Sequence, residues 1–363
     1  MSAATAAPVA IVGGGPAGMA LALALHRQGV ASHILDARSR DAGLQDQRIL
    51  ALSHGARQIL EWLGVWQAIP STPITTIHIS QQSHLGRAKI TAAEKKVPAL
   101  GYVLAARDLI AALDGKLREK EIPFSENTPI ASPMPNVTLT VWAEGAVDNE
   151  AARQRDYNQH AVIFLAQGDL PHSGMAWERF TPQGPVAILP FGRDYAVVLT
   201  CAANEAESIA ALDDERFLAL LQQRFGTRIR FTGVGPRVVY PLGLRYRPTT
   251  IAERQVWIGN AAQTLHPVAG QGFNLALRDI FELARCVTDA TDPGSPEVLQ
   301  HYAKQRRLDR NGAMTFTDTL VRLFSNDNPV LGHVRGAGLL ALDLLPPARS
   351  FVARRMMFGA RGW

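Results

Sequence analysis

Cysteine is scarce in this chain of 363 residues, which contains only Cys201 and Cys286. The two stand far apart and form no C-x-x-C pair, so the sequence offers neither a disulfide framework nor a thiol redox motif. Two plain thiols favour a reducing compartment, and we expect a cytoplasmic protein. Residues 1–8 are small and uncharged, which argues against a signal or transit peptide.

Long apolar runs, metal-ligand spacings and basic runs with interleaved aromatic residues are also missing. No stretch reaches the roughly 20 apolar residues that a membrane-spanning helix needs. The formal charge is +5 and the pI about 9.4, yet the absence of basic runs with interleaved aromatic residues disfavours nucleic-acid binding. No G-x-S-x-G elbow surrounds a serine, which disfavours a serine nucleophile. Ligand spacing with cysteine or acids is absent, so we predict no metal site at His26, His33, His54, His78 or His84.

The most informative stretch is a glycine-rich turn near the N-terminus. Val9–Val12 is a short uncharged apolar run, typical of a buried parallel strand, and an Ala- and Leu-rich helix follows at 19–27. The intervening G-x-G-x-x-G spacing permits a tight turn, close approach of a pyrophosphate and close helix–strand packing. The helix N-terminus offers free N–H groups and a positive dipole end to phosphates.

A carboxylate completes this motif. A second apolar strand at 33–35 ends at Asp36, close to the usual spacing for an acid that binds a ribose hydroxyl. The alternative is an αβ turn that binds nothing. We predict a dinucleotide site formed by Gly13, Gly15, Pro16, Ala17, Gly18, Asp36, Ala37 and Arg38.

Two arginines follow, and at the second of them a nearby anion would explain the positive charge. Arg48 precedes an apolar run at 49–52, after which Ser53 is a plausible N-cap for a helix to about Leu63. Arg107 stands near the start of a helix predicted within 102–117, where a cation is unfavourable unless an anion lies nearby. The alternatives are a solvated loop arginine and a surface salt bridge.

The middle of the chain is mainly β, unlike its α/β opening. Strands are predicted at 74–80 and 86–90, as a hairpin, and at 137–142, 161–166 and 195–201, with one amphipathic helix from Glu207 to Phe225. We therefore predict an α/β, Rossmann-like domain with an inserted, mainly β substrate domain and a C-terminal helical segment. The nucleotide domain would comprise 1–70, 101–145 and 251–290, the substrate domain 71–100 and 146–250, and the helical segment 291–363.

A second glycine-rich loop lies between a strand at 256–258 and a helix at 275–287. Its sequence from Gly259 to Leu275 resembles the signature of the class A flavoprotein aromatic monooxygenases, the para-hydroxybenzoate hydroxylase type. The resemblance spans essentially the whole chain. Within that family it is most similar to the ubiquinone-biosynthesis hydroxylases, and among them to those acting on 2-polyprenyl-6-methoxyphenol.

The resemblance implies FAD as cofactor and NADPH or NADH as co-substrate. Reduced FAD would react with O2 at C4a, and the hydroperoxide would hydroxylate the ring of a prenylated phenol. Pro267 resembles the proline beside the flavin; His266 is either a weak candidate base or a residue that fixes the loop. Besides the first glycine turn, the implied flavin-binding residues are Arg48, Arg107, Gly259, Asn260, Ala269, Gly270, Gln271, Gly272, Phe273 and Asn274.

The chain departs from the family in three places. Asn260 stands where the general family has aspartate, as it does in the ubiquinone subgroup. Glu144-Gly145 replaces an Asp-Gly pair linked to flavin and NAD(P)H binding, and Pro123 to Asn136 is shorter than the family's β region. The Glu144-Gly145 departure keeps open one alternative to the hydroxylase, a non-catalytic flavin-binding member of a biosynthetic complex. A second alternative, an FAD-dependent isoprenoid reductase, would share the fold, but the stretch from Gly259 to Leu275 argues against it.

The C-terminal stretch 331–363 is apolar and basic, with Arg335, Arg349, Arg354, Arg355 and Arg361 against one acid, Asp343. Such a segment predicts either peripheral contact with an anionic membrane surface or a helix packed on the flavin domain. A polyprenyl substrate, implied by the resemblance, favours membrane contact or a ubiquinone-biosynthesis complex, because the tail must be delivered from lipid.

Overall fold

The computed structural model describes residues 8–82, 86–148, 150–324 and 329–360. Its strands in chain order are β1 Val9–Val12, β2 Ser32–Leu35, β3 Ile49–Ser53, β4 Thr72–Ile74, β5 Thr76–Gln81, β6 Arg87–Thr91, β7 Gly101–Ala105, β8 Phe124–Ser125, β9 Leu139–Trp142, β10 Arg153–Gly168, β11 Met175–Thr181, β12 Gly184–Phe191, β13 Asp194–Ala202, β14 Phe231–Val234, β15 Val238–Tyr246, β16 Ile251–Ala252, β17 Gln255–Trp257 and β18 Gln263–Thr264.

The helices alternate with the strands in the first part of the chain and follow one another in the last. They are α1 Pro16–Arg27, α2 His54–Trp62, α3 Ala92–Lys95, α4 Ala106–Glu119, α5 Ala206–Ala210, α6 Asp214–Phe225, α7 Gly272–Val287, α8 Pro296–Phe324, α9 Pro329–Leu344 and α10 Pro346–Phe358. Short 3-10 turns cover Arg40–Gln45, Trp66–Ala68, Gly259–Ala261 and Val268–Gly270. Within the described ranges, no helix is both long and apolar enough to cross a membrane.

One sheet is the Rossmann-like part of the fold. Its strand order is β16-β17-β9-β1-β2-β8, and β1 lies between β2 and β9 in parallel register. Val9–Val12 is buried throughout, as expected for a central parallel strand covered on both faces. Helices α1, α4 and α7 supply the covering apolar side chains, among them Leu21, Leu113 and Leu277. The predicted fold class is confirmed.

The second, larger sheet is mainly antiparallel, in the order β18-β15-β10-β13-β12-β11-β5-β6, with β14 also beside β10. Alternate residues face opposite sides, so Phe164 on β10 packs with Phe217 and Phe225 of α6. The alternate residues of β10, such as Ile163, lie on the opposite face of the sheet and line a cavity. Strands β5 and β6 form the expected hairpin. The finer division into domain ranges stays a prediction.

The prediction of one helix from Glu207 to Phe225 is wrong at its centre. The chain forms α5 and α6, which are separated at residues 211–213. The side chain of Asp213 accepts a hydrogen bond from the N–H of Arg216, at 2.9 Å. An N-cap aspartate starts a new helix because its side chain satisfies a backbone donor that would otherwise be unpaired.

Candidate functional site

A cavity of about 1740 Å³ lies where the Rossmann-like sheet, the larger sheet and the C-terminal helices meet, and a third sheet, of β3, β7 and β4, also lines it. Ligand pockets usually measure roughly 300–1000 Å³, so this one has room for more than one ligand. Its wall includes the first glycine turn, the second glycine-rich loop, the inner face of the large sheet and side chains of α8, α9 and α10. The elements predicted to bind a dinucleotide therefore open onto the same space as the β sheet.

The three glycines of the first turn have different structural roles. A Cβ on Gly18 would lie 1.9 Å from the carbonyl oxygen of Gly13, so only glycine lets α1 approach the turn. Gly13 has φ +110°, and its Cβ would meet the backbone of Ala143 at 2.8 Å. Among the described residues, no atom lies within 4 Å of a Cβ built on Gly15. Gly15 thus leaves space for a ligand, whereas Gly13 and Gly18 serve packing.

The N-terminus of α1 faces that space. Gly15 is its N-cap and has no side-chain cap, so the first N–H groups of the helix have no capping side chain. Gly15, Pro16 and Ala17 all line the cavity. An uncapped helix N-terminus beside an open glycine is the donor set that a diphosphate requires. The local geometry therefore fits the phosphates of a dinucleotide.

Asp36 is held directly under this turn at the end of β2. It is buried, and its carboxylate accepts hydrogen bonds from the N–H of Gly14 at 2.6 Å and of Arg38 at 2.7 Å. Asp36, Ala37 and Arg38 all line the cavity, as predicted. Because the carboxylate is already bonded to two backbone donors, its position is fixed before any ligand binds.

Glu144 follows β9 and also lines the cavity. Burial, followed by the negative charge of Asp36, raises the pKa of Glu144. The glutamate that replaces the expected aspartate therefore reaches the nucleotide side of the cavity. There it places a second carboxyl close enough to Asp36 for the two charges to repel each other.

The part of the second glycine-rich loop from Leu265 to the start of α7 is held against β3 by hydrogen bonds. Asn274 donates hydrogen bonds to the carbonyls of Gly270, at 2.6 Å, and Ala51, at 3.0 Å. Its side-chain oxygen accepts from the N–H of Ser53, at 2.8 Å. Asn274, predicted as a flavin ligand, thus donates both side-chain hydrogens to backbone carbonyls and holds the loop in place. Gly270, Gln271, Gly272 and Phe273 line the cavity beside it.

His266 is buried in this loop and is poorly suited to act as a base. Its Nδ1 accepts a hydrogen bond from the N–H of Val268 at 3.1 Å, which places the ring proton on Nε2. Burial lowers the pKa of His266 to about 4, so the ring is neutral at physiological pH. The geometry favours the alternative in which His266 fixes the loop. Pro267 lies next to it in the cavity wall.

The two predicted arginines lie in different environments. Arg48 lines the cavity and pairs with Asp46, its Nε lying 2.9 Å from a carboxylate oxygen. Arg107 is 63% exposed, lies 3.8 Å from Asp108 and is not among the described residues that line the cavity. The structure therefore brings Arg48 to the site and leaves Arg107 in the surface salt bridge considered as its alternative.

The remaining predicted residues of the second glycine-rich loop also lie in different environments. Asn260 lines the cavity. Gly259 has φ +57° and packs beside Ala17. A Cβ built on Gly259 would lie 3.2 Å from the Cβ of Ala17, which is tighter than an ordinary contact. Ala269 belongs to the 3-10 turn that ends at Gly270. Gly259 therefore shapes the contact between the loop and α1.

The sequence interpretation missed part of the cavity wall. Glu178 of β11 and Tyr240 of β15 line it, as do apolar side chains of the C-terminal helices: Phe316, Leu320, Leu339, Leu342, Met356 and Met357. A carboxylate between Ala176 and Phe180 in an alternating strand was the available signal for Glu178. Within the described ranges, no group of three His, Cys, Asp or Glu residues could hold a metal.

A buried ionic network fastens α8 to α7 behind the loop. Arg278 lies 2.7 Å from Asp309, and Arg306 lies 2.6 Å from Asp279 and 2.8 Å from Asp309. Asp309 also accepts a hydrogen bond from the N–H of Ala360, near the end of the described chain. The charges of Arg278 and Arg306 outweigh burial and lower the pKa of Asp309 to about 2.

Comparison with known proteins agrees with this geometry. The FAD binding domain family matches residues 6–133 and 142–317. The chain is 32% identical to the ubiquinone hydroxylase UbiL of Rhodospirillum rubrum, over 97% of this chain and 89% of that protein. It is 27% identical to the 3-demethoxyubiquinol 3-hydroxylase of Escherichia coli, over 92% and 94%. The solved structure of p-nitrophenol 4-monooxygenase PnpA from Pseudomonas putida DLL-E4 has a TM-score of 0.76 at 16% identity, covering 97% of both chains.

Proposed function

The chain belongs to the FAD binding domain family and is a flavoprotein monooxygenase, and from that premise we propose that it hydroxylates the ring of a prenylated phenol in ubiquinone biosynthesis. Two of its relatives bear the names ubiquinone hydroxylase and 3-demethoxyubiquinol 3-hydroxylase. The observation that carries the proposal is the cavity, which extends from the glycine turn to an apolar sheet face and the C-terminal helices. It has space for both a flavin and an apolar second ligand.

FAD is the cofactor of this family, and when bound and reduced by NADPH or NADH it supplies the oxygen chemistry. The chain's own contribution is to bind and orient. We assign the diphosphate to the N–H groups at the start of α1 beside Gly15, and a ribose hydroxyl to Asp36. The backbone of Gly270 and Gly272 would lie beside the flavin ring, where the absence of side chains permits close approach.

The substrate end of the cavity is suited to excluding water. Leu320 and Leu339 of the C-terminal helices face the same space as Phe180 of the sheet and Val268 of the loop. We propose that this apolar wall encloses the ring and the first part of the prenyl tail. Exclusion of water protects reactive oxygen species in the site from hydrolysis and proton leakage.

The test is anaerobic reduction of the purified protein by NADPH, with and without a prenylated methoxyphenol, followed by turnover in 18O2. We expect faster bleaching of the flavin with the phenol, and a product that gains one 18O atom. A product without added oxygen would favour the isoprenoid reductase. A flavin that binds but is never reduced by either nicotinamide would contradict the proposal and favour the non-catalytic alternative.

We also propose that the C-terminal helices contact a membrane surface. Leu344 and Phe351 are 66% and 72% exposed on α9 and α10. The predicted basic face is smaller than expected, because Arg335 is buried and donates to the carbonyl of Leu323, while Arg349 pairs with Glu94. The apolar side chains would therefore supply most of any contact.

Co-sedimentation with anionic and neutral lipid vesicles tests this contact. The double substitution Leu344→Ser and Phe351→Ser should weaken vesicle binding at least tenfold. Leu170→Ser is the matched control, since Leu170 is 54% exposed on the β sheet domain. Equal loss with the control, or no vesicle binding by the native protein, would contradict membrane contact and leave a ubiquinone-biosynthesis complex as the proposed partner of this surface.

A further inference from the structure

Among the described residues, Glu178 is the one carboxyl side chain that the large sheet contributes to the cavity wall. Strand alternation places Glu178 on the same face as Ala176 and Phe180, and all three line the cavity. Glu178 stands opposite Ile79 of β5 and Ala187 of β12 in the strand register. Farther across the sheet the same face continues with Val198 and Ile163. Its neighbours on this face are therefore hydrocarbon.

The carboxyl group has no described partner. Oε1 of Glu178 is buried without a hydrogen bond, and no ion pair involves this residue among the described parts of the chain. An unpaired carboxyl in apolar surroundings is costly to fold, since burial of a polar group without a partner destabilises the native state. A bound ligand that offers a hydroxyl would supply the missing hydrogen bond.

Charged and titratable groups on the surrounding elements are turned away or engaged elsewhere. Arg179, next in the strand, donates to the carbonyl of Arg224 and to Ser80. His78 of β5 stands opposite Trp177 and so faces the other side of the sheet. Arg335 of α9 donates to Leu323, and Arg48 at the cavity wall pairs with Asp46.

Two further polar residues share the cavity face. Tyr240 of β15 and Thr200 of β13 both line the cavity, and neither carries a positive charge. Burial is accordingly what raises the pKa of Glu178, to about 7. A carboxyl with that pKa exchanges a proton near neutral pH, which is the property of an efficient general base.

We propose that Glu178 is a catalytic residue that accepts a hydrogen bond from the phenolic hydroxyl of the substrate and takes its proton during hydroxylation. This proposal rests on the proposed function. As the ring donates electron density to the incoming oxygen, its hydroxyl becomes more acidic. The O–H bond then breaks, its electron pair stays on the phenolic oxygen, and the proton forms a new O–H bond with the Glu178 carboxylate.

The experiment compares Glu178→Gln with native holoenzyme in the pH dependence of kcat/KM for a prenylated methoxyphenol. The native profile should fall below about pH 7 as the carboxylate is protonated. Glu178→Gln should lose this acidic limb and be slower by about 10²- to 10⁴-fold, the usual contribution of a general base. Flavin content and substrate-free reduction by NADPH should not change. Glu215→Gln, at an exposed carboxylate of α6, is the matched control and should behave as native.

A second readout is independent of turnover. Calorimetric binding of the phenol and of its methyl ether measures whether the protein recognises the hydroxyl proton. The native holoenzyme should prefer the phenol by about 10- to 100-fold at pH 8, as expected for a hydrogen bond to a charged group. Glu178→Gln should reduce that preference to a few-fold. An unchanged preference together with an unchanged acidic limb would overturn the assignment.

Glu178→Asp keeps the charge and shortens the side chain. It should retain the acidic limb at a reduced rate. If Glu178→Gln does not fold, a Glu178→Asp protein with the native rate and the native preference for the phenol would overturn the assignment. Failure of the native protein to add oxygen to any phenol would contradict the proposed function alone. The binding comparison would still decide whether Glu178 recognises a phenolic hydroxyl.

Discussion

Replacing Gly15 by valine should abolish FAD binding while leaving the fold intact. Gly15 has extended backbone angles, φ −75° and ψ −178°, which any residue adopts. A Cβ built there meets no described atom within 4 Å. The protein alone can therefore accommodate the side chain. We expect a change of at most about 1 kcal/mol in the free energy of unfolding, the scale of an N-cap substitution.

The effect on the ligand should be large, because the valine methyl groups would occupy the space next to the free N–H groups of α1. Two charge-assisted hydrogen bonds to a diphosphate are worth about 1.5–3 kcal/mol each. Their loss amounts to about 3–6 kcal/mol, which raises the FAD dissociation constant by about 10²- to 10⁴-fold. Titration of the flavin-free protein with FAD, followed by flavin fluorescence, measures this directly.

Two substitutions serve as controls. Gly115→Val makes the same change at an exposed glycine of α4 that also has open space around its Cβ, and it should bind FAD normally. Gly18→Ala should instead destabilise the flavin-free protein by about 3 kcal/mol, because its Cβ would lie 1.9 Å from the carbonyl oxygen of Gly13. A Gly15→Val protein that retains stoichiometric FAD with near-native affinity would refute the assignment of this turn.

Three further predictions concern single side chains. Arg48→Ala should weaken FAD binding about tenfold with little effect on unfolding, since the exposed Arg48–Asp46 pair adds little stability; unchanged affinity and turnover would return Arg48 to a solvated loop residue. The pKa of Asp309 is lowered from 3.8 to about 2, so its ion pairs contribute about 2 kcal/mol above pH 4 that is lost between pH 4 and pH 2. Denaturant unfolding across that range should show a steeper loss of stability for the native protein than for Asp309→Asn. The pKa of Glu178 is raised from 4.5 to about 7, so the free energy of unfolding of the native protein should fall by about 3 kcal/mol as pH rises from 4.5 to 7. Glu178→Gln should remove this pH dependence of stability. An equal pH dependence in both proteins would contradict the burial of an uncompensated carboxyl.

Local signals were sufficient for the nucleotide-binding half of the fold. The strand, glycine turn and helix from Val9 to Arg27 occur as predicted, because an apolar run, a turn and a helix start are each specified by neighbouring residues. The same holds for Ser53, whose side chain accepts a hydrogen bond from the N–H of Ala56 at the start of α2. The prediction failed in α5–α6. The helical periodicity of the apolar residues continues through Asp213, but Asp213 is the N-cap at which a second helix begins.

The sequence by itself determined the strand, glycine turn and helix from Val9 to Arg27, the mainly β middle of the chain and the family, since these depend on residues that are close along the chain. Tertiary structure decided which side chains meet. Strand pairing set the face on which Glu178 lies, and helix docking turned Arg107 outwards and brought Leu339 and Met357 into the cavity wall. The physical reason is that a strand's buried face depends on its register with strands distant in sequence, and a one-residue shift would reverse it.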